Sequence, residues 1–190
     1  SDRKFEGEET WLEIGDSNVF REGVTAHRGT GAGGGLTKIG SYNLQMPYVH
    51  IAHDCIVGDN TVFANNVGIS GHVQVGDWTI LGGYAGINQF LKIGAHAMVG
   101  GMTHITNDIP AYMIVSGRPA TVRSINTIGL ERRGFDKETI QDLREAFKVI
   151  YKRNYSLQEA IDQLKAMGDG CETLQTLIDS LESSEKGIHR

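Results

Sequence analysis

The sequence predicts a mainly β chain, a solenoid of short parallel strands followed by a small α-helical domain. Three observations predict it. From residue 39 to residue 110 the chain repeats every six residues, the place after each apolar leader is small, and past residue 117 the period becomes helical. A six-residue period suits neither an amphipathic helix nor a half-buried strand, whose repeats are about 3.6 and 2. It suits stacked coils with tight corners.

A first fragment of the repeat stands at Ile14 and Gly15, one residue out of phase with the later run. The Gly-rich stretch 29–35 accounts for the break and reads as a flexible loop ejected from a corner, a flap over a site. It contains GxGxxG, yet no βαβ unit or phosphate-loop Lys-Ser/Thr accompanies it, so a nucleotide loop lacks its context. The main run leads with Ile39, Gln45, Ile51, Val57, Phe63, Ile69, Val75, Leu81, Ile87, Ile93, Val99 and Ile105, apolar at all but Gln45. Three hexads make a triangular coil of eighteen residues, so residues eighteen apart occupy adjacent rungs about 4.8 Å apart. By that arithmetic His53 adjoins Gly71, and Asp54 adjoins His72. Cys55 falls at an inward place filled elsewhere by Val49, Val67, Val73 and Ala85, and reads as core.

The repeat stops at 108–110, and 117–120 marks the exit. Asp136 is placed to cap a helix with Ile140, Leu143, Phe147, Ile150 and Tyr151 on its apolar face. Ser156 and Glu159 form a capping box for a second helix, with Leu157, Ala160, Ile161 and Leu164 inward and Gly168 beyond its end. Leu174, Leu177, Ile178 and Leu181 mark a third. The expected domains are 1–115 and 116–190, the second covering the solenoid end.

Composition excludes several functions. The net charge of -5 argues against a general nucleic-acid binder. Two cysteines with no close pairing argue against a zinc ribbon or disulfide scaffold. No apolar run is long enough to span a membrane and the polar start is no signal peptide, so a cytoplasmic location is expected. Arg144, Lys148 and Lys152 recur every four residues with Arg153 beside them, either a solvated face or a stripe that steers an acidic partner.

Among seven histidines, His53 stands apart. A carboxylate follows it at Asp54 and a glycine backbone lies one rung away at Gly71, which is equipment for acyl transfer: an oriented base and an amide for a developing oxyanion. Zinc is the competing use of clustered histidines, but the two-histidine spacing HxxxxH of zinc-binding hexapeptide-repeat proteins is absent, and no metal is expected.

The segments VTAHRGT at 24–30, GLTKIG at 35–40, HIAHDC at 50–55 and GLERRGF at 129–135 resemble the UDP-N-acetylglucosamine O-acyltransferases of lipid A synthesis, the LpxA family. The likeness runs from Asp2 to Arg190. It implies a left-handed parallel β-helix, an exception to the right-handed crossover rule, in a homotrimer. It also implies that His53 is the general base on the glucosamine 3-hydroxyl, that Gly71 holds the oxyanion, and that Asp54 orients His53. His72 would bind the sugar, Asp2 and Lys4 would lie near the sugar or its acyl group, and Gln89 would join the substrate contacts. Gly101 would leave room in the acyl groove, while Asn126, Arg132 and Arg133 would serve the nucleotide side. The donor would be a β-hydroxyacyl thioester on the phosphopantetheine of acyl carrier protein, with no resident cofactor. That acidic carrier gives the stripe Arg144, Lys148, Lys152 and Arg153 a purpose.

Departures from the family pattern touch the acyl and nucleotide ends. Asn88 precedes Gln89-Phe90 where a histidine is familiar, Pro119 stands for another histidine, and Ile128 for a glutamate. Ser1 falls where family members are already several coils along, so either this sequence is partial or the protein is short, and a missing start would expose a strand edge at the first coil. Two other readings stand beside this one: a related hexapeptide acyltransferase with an N-acyl or coenzyme A-dependent reaction, and a scaffold whose corners are merely polar.

Overall fold

A computed structural model describes residues 6–167 and 171–190. It is a left-handed parallel β-helix followed by helices. The first wall stacks Trp11–Ile14, Leu36–Ile39, Ile56–Val57, Gln74–Val75 and Lys92–Ile93. The second stacks Val19–Phe20, Leu44–Gln45, Val62–Phe63, Ile80–Leu81, Met98–Val99, Met113–Ser116 and Thr121–Ile125. The third stacks Thr25–Ala26, His50–Ile51, Gly68–Ile69, Gly86–Ile87 and His104–Ile105. Every hexad leader from Ile39 to Ile105 is buried, including Gln45, and the Cys55 side chain lies in the same core. Burial pushes the Cys55 thiol up to about 11.

Register explains the phase break. In the regular part His50 pairs with Gly68, eighteen residues on. In the first coil Trp11 pairs with Leu36 and Thr25 with His50, twenty-five residues on, so seven residues are inserted. They are the Gly-rich stretch. It is not the free flap expected from its composition: Gly31–Gly33 form a 3-10 turn, Thr30 accepts the Gly33 amide, and Thr30 itself is buried. The loop is pinned because Thr30 finds partners on the rung above.

Most corners of the regular run are made the same way. One residue per corner takes left-handed backbone, among them Asp54 (φ 60°), His72 (φ 63°) and Phe90 (φ 64°). That conformation costs roughly 1–2 kcal/mol for a residue with a Cβ. It is offset by a hydrogen bond to the rung below: His72 N–H donates to His53 C=O at 3.1 Å and Phe90 N–H to Gly71 C=O at 3.1 Å. Below Asp54 the rung carries the insertion, and the ladder has no carbonyl to offer. The Asp54 amide donates instead to Thr37 Oγ1 at 2.7 Å, with Thr37 fully buried.

The second wall ends in an antiparallel pair, Met113–Ser116 with Thr121–Ile125. Helix α1 (Thr127–Arg132) follows at once and was not foreseen, since six residues show no helical period. Asn126 caps it by accepting the Gly129 amide at 3.2 Å. Helix α2 (Lys137–Lys152) is capped by Asp136, and α3 (Leu157–Met167) has its reciprocal Ser156 and Glu159 box. Gly168, expected beyond α3, lies outside the described residues. Helix α4 (Glu172–Glu182) buries Leu174, Leu177, Ile178 and Leu181, and its Ser180 hydroxyl accepts the Ala111 amide of the last coil. The chain after it stays on that coil, where Asp108 accepts the Ser184 hydroxyl at 2.7 Å. His189 Nε2 accepts the Thr106 and Asn107 amides at 3.2 Å each, and burial holds this imidazole below its usual range. Among the described residues no helix is long and apolar enough to cross a membrane.

Two stability outcomes follow from this packing. Phe63→Ala empties the solenoid core and should cost about 3–5 kcal/mol in chemical denaturation, whereas Gln74→Ala on the outer face should stay within about 0.5 kcal/mol. Thr37→Val leaves the buried Asp54 amide unpaired and should cost about 1–3 kcal/mol, while Thr37→Ser keeps the bond; equal stability of the two variants would contradict the role given to Thr37.

Candidate active site

The corner between the third and first walls holds the candidate site. Ile51 and Ile56 lie in strands of those two walls, so the residues between them form the bend and His53 and Asp54 project from it. Asp54 is almost fully enclosed, with 1% of its side chain exposed, whereas His53 keeps 30%. His53 Nδ1 lies 2.7 Å from Asp54 Oδ2. Thr30 encloses the same carboxylate from below: its amide donates to Oδ1 at 2.8 Å and its hydroxyl to Oδ2 at 2.6 Å. Burial alone would push the Asp54 carboxyl up. The Thr30 hydroxyl and amide, then His53 and nearby His72, outweigh it and hold the group below the usual carboxylate range.

An ionised carboxylate only accepts hydrogen bonds, so the proton between Asp54 and neutral His53 sits on Nδ1. Nε2 is then left with its lone pair. Gly71 comes against that side of the ring: a Cβ added there would stand 2.7 Å from His53 Cε1 and 2.9 Å from Nε2. Only glycine fits. Among the described residues the Gly71 amide makes no hydrogen bond, so an unpaired donor belongs to the residue that packs against the His53 ring.

His72 sits one rung above Asp54, its Nε2 3.8 Å from Oδ2 and its ring stacked on Phe90 at 4.4 Å between centroids. That distance is too long for a hydrogen bond. His53, Asp54 and His72 offer ligand atoms within 4.8 Å of one another. A cation there would have to displace the Thr30 and His53 hydrogen bonds that already occupy Oδ2.

The other site candidates are dispersed. Gln89 is exposed on the same corner, one rung above Gly71. Gly101 is exposed at the corner between the second and third walls, where a Cβ would stand 3.2 Å from Gly83 O. Asn126 and Arg133 meet at the corner between the first and second walls, away from His53 by the width of the first wall. Asn126 is buried and donates to His96 O at 2.9 Å while capping α1. Arg133 lies over the Trp78 ring at 5.4 Å, donates to Trp78 O at 2.9 Å, and approaches His96 Nδ1 at 3.3 Å. Burial, then Arg133, pushes His96 down to about 4, so it meets the guanidinium as a neutral acceptor. Arg132 is exposed. Asp2 and Lys4 lie outside the described residues. Arg144, Lys148, Lys152 and Arg153 line one groove of about 650 Å³ with Phe147 and Ile125, and Glu145 pairs with Lys148 at 2.6 Å within the stripe.

Sequence reasoning missed Thr30 and Thr37, the two residues that fix Asp54. A signal existed for the first: the phase break falls at this same corner, one rung below Asp54, so the inserted loop had to lie against the carboxylate.

Residues 108–189 match the family described as Udp N-acetylglucosamine O-acyltransferase, Domain 2, and residues 36–71 match the bacterial transferase hexapeptide family of six repeats. The acyl-[acyl-carrier-protein]--UDP-N-acetylglucosamine O-acyltransferase of Saccharophagus degradans is 52% identical over 189 residues, covering all of this chain and 73% of that protein. The solved structure of LpxA from Acinetobacter baumannii superposes with a TM-score of 0.96 at 54% identity, covering the whole chain and 74% of that one. The UDP-N-acetylglucosamine O-acyltransferase of Moraxella catarrhalis gives 0.97 at 45% identity, again over the whole chain and 74% of that structure. With its repeat, its helical domain and its full length all matched, the chain belongs to the acyl-[acyl-carrier-protein]--UDP-N-acetylglucosamine O-acyltransferase family.

Proposed function

We propose that the chain moves a β-hydroxyacyl group from acyl carrier protein to the 3-hydroxyl of UDP-N-acetylglucosamine, the first step of lipid A synthesis, with His53 as general base. One observation carries the mechanism: Asp54 ties up Nδ1 of His53, so Nε2 is free beside the unpartnered Gly71 amide. The sugar hydroxyl gives its proton to Nε2 as its oxygen attacks the thioester carbonyl. The new oxyanion takes the Gly71 hydrogen bond, and its collapse expels the phosphopantetheine thiolate, which recovers the proton from His53. Asp54 holds the ring and stabilises its cation.

His72, with Asp2, Lys4 and Gln89, contacts the sugar side, and Gly101 leaves space beside the acyl chain. The phosphopantetheine thioester arrives with its carrier, and no resident cofactor is needed. The basic groove under Arg144, Lys148, Lys152 and Arg153 suits that acidic carrier. The nucleotide residues Asn126, Arg132 and Arg133 lie on a different edge of the prism from His53. A homotrimer reconciles this, with a neighbouring copy bringing its nucleotide edge to the His53 corner.

His53→Ala should lower transfer to UDP-N-acetylglucosamine by about 10²–10⁴-fold with the fold intact, and near-normal turnover would overturn the assignment. Asp54→Asn should reduce kcat far more than it changes the acceptor KM. Thr30 should act through pH. Its bonds favour ionised Asp54, whose folded value is depressed, so the stability they supply is present above the ordinary aspartate range and lost as pH falls below it. The stability gap between the wild type and Thr30→Val should therefore be full at neutral pH and narrow below about pH 4; a gap that widens on acidification would contradict this.

A further inference from the structure

Helix α1 has six residues, too few to be stable by itself, yet it ends at Arg132 with Arg133 as its C-cap, the two arginines proposed for the nucleotide. Both of its ends are fastened to one residue of the solenoid. At its start the cap Asn126 donates to His96 C=O at 2.9 Å, and at its finish Arg133 Nη1 approaches His96 Nδ1 at 3.3 Å. His96 is itself wedged in place. Its amide donates to Asp77 C=O at 2.8 Å, and its ring lies between those of Trp78 and Tyr112, with centroids 6.3 and 5.4 Å away. Phe135 closes on it edge-on at 5.2 Å.

Stacking alone would be served as well by another apolar ring. The imidazole adds an acceptor: burial and the Arg133 charge outweigh nearby Asp77 and keep it neutral, so Nδ1 offers its lone pair to the guanidinium. Arg133 Nη2 donates to Trp78 C=O at 2.9 Å while the guanidinium lies over the Trp78 ring. The fork is thus held at two points, and three of its five N–H groups remain for an anion.

We propose that His96 is a positioning residue for the acceptor: it clamps α1 at both ends and aims the Arg133 fork at the diphosphate. The inference rests on the acyltransferase reading and deepens its nucleotide side. His96 stands at a different corner of the prism from His53 and touches no reacting atom. Its effect therefore falls on acceptor binding and leaves the chemical step alone.

The test uses two side chains that keep the backbone bond to Asn126. Asn60, Phe90 and Met102 hold left-handed corners like that of His96, so Asn, Phe and Met suit its backbone. His96→Phe keeps the ring stack and removes the acceptor, whereas His96→Asn gives up the stack and keeps an acceptor oxygen near the Nδ1 position. Steady-state kinetics with UDP-N-acetylglucosamine and calorimetric titration with UDP are run on the full chain and each variant. His96→Phe should raise the acceptor KM and the UDP Kd by about tenfold, with kcat and the donor KM within about twofold, and His96→Asn should recover most of that loss. In an Arg133→Ala background His96→Phe should add nothing. His96→Met takes the place of His96→Phe if the latter does not fold. An unmoved acceptor KM, an Asn variant no better than the Phe variant, or a loss that persists undiminished without Arg133 would overturn the role of His96 and leave the acyltransferase reading standing. A wild-type chain that neither binds UDP nor acylates UDP-N-acetylglucosamine would overturn that reading, and this one with it.

Discussion

The constraint on which the rest depends is the rung-to-rung hydrogen-bond register. With eighteen residues to a turn, each amide at a strand meets the carbonyl of its counterpart one rung away, and side chains far apart in sequence fall into columns. The column of Asp54, His72 and Phe90 and the column of His53, Gly71 and Gln89 are products of that register. A one-residue slip would turn every leader outward and separate the imidazole from the amide. The buried leaders hold the register, and the left-handed corners are tolerated because each pairs its amide with the rung below.

At the His53 corner the ladder is interrupted. Seven extra residues enter below Asp54, so its amide loses the backbone carbonyl that the other corners use. Thr37 supplies a side-chain oxygen for the amide, and Thr30 supplies two donors for the carboxylate. The interruption thereby converts a routine bend into a buried, doubly bonded carboxylate with an imidazole on its exposed side. A loop that composition marks as slack is the part that makes the charge tolerable in the interior.

How much of this was legible in the sequence varied with the regularity of the local chain. The contact of His53 with Gly71 could be counted out in advance because the repeat is uninterrupted between them. Thr30 could not, because it sits inside an insertion of unknown path, and Thr37 could not, because its hydroxyl takes the place of a ladder carbonyl that only the insertion removes. Asp136, Ser156 and Glu159 were readable as caps, since capping uses local spacing. Helix α1 was too short to show a period, and so the cap made by Asn126 was hidden with it. The engagement of Arg133 with Trp78 and His96 depends on how the helical domain returns to the solenoid, which no local pattern encodes.

The account's central claim is that Asp54 fixes His53 in the tautomer that leaves Nε2 free toward Gly71. Nitrogen NMR of the His53 ring in the intact chain, labelled at histidine and observed in the neutral form, reads this directly. The account predicts a protonated Nδ1 and a lone-pair resonance at Nε2. A proton found on Nε2, or a ring averaging between the two tautomers, would contradict it.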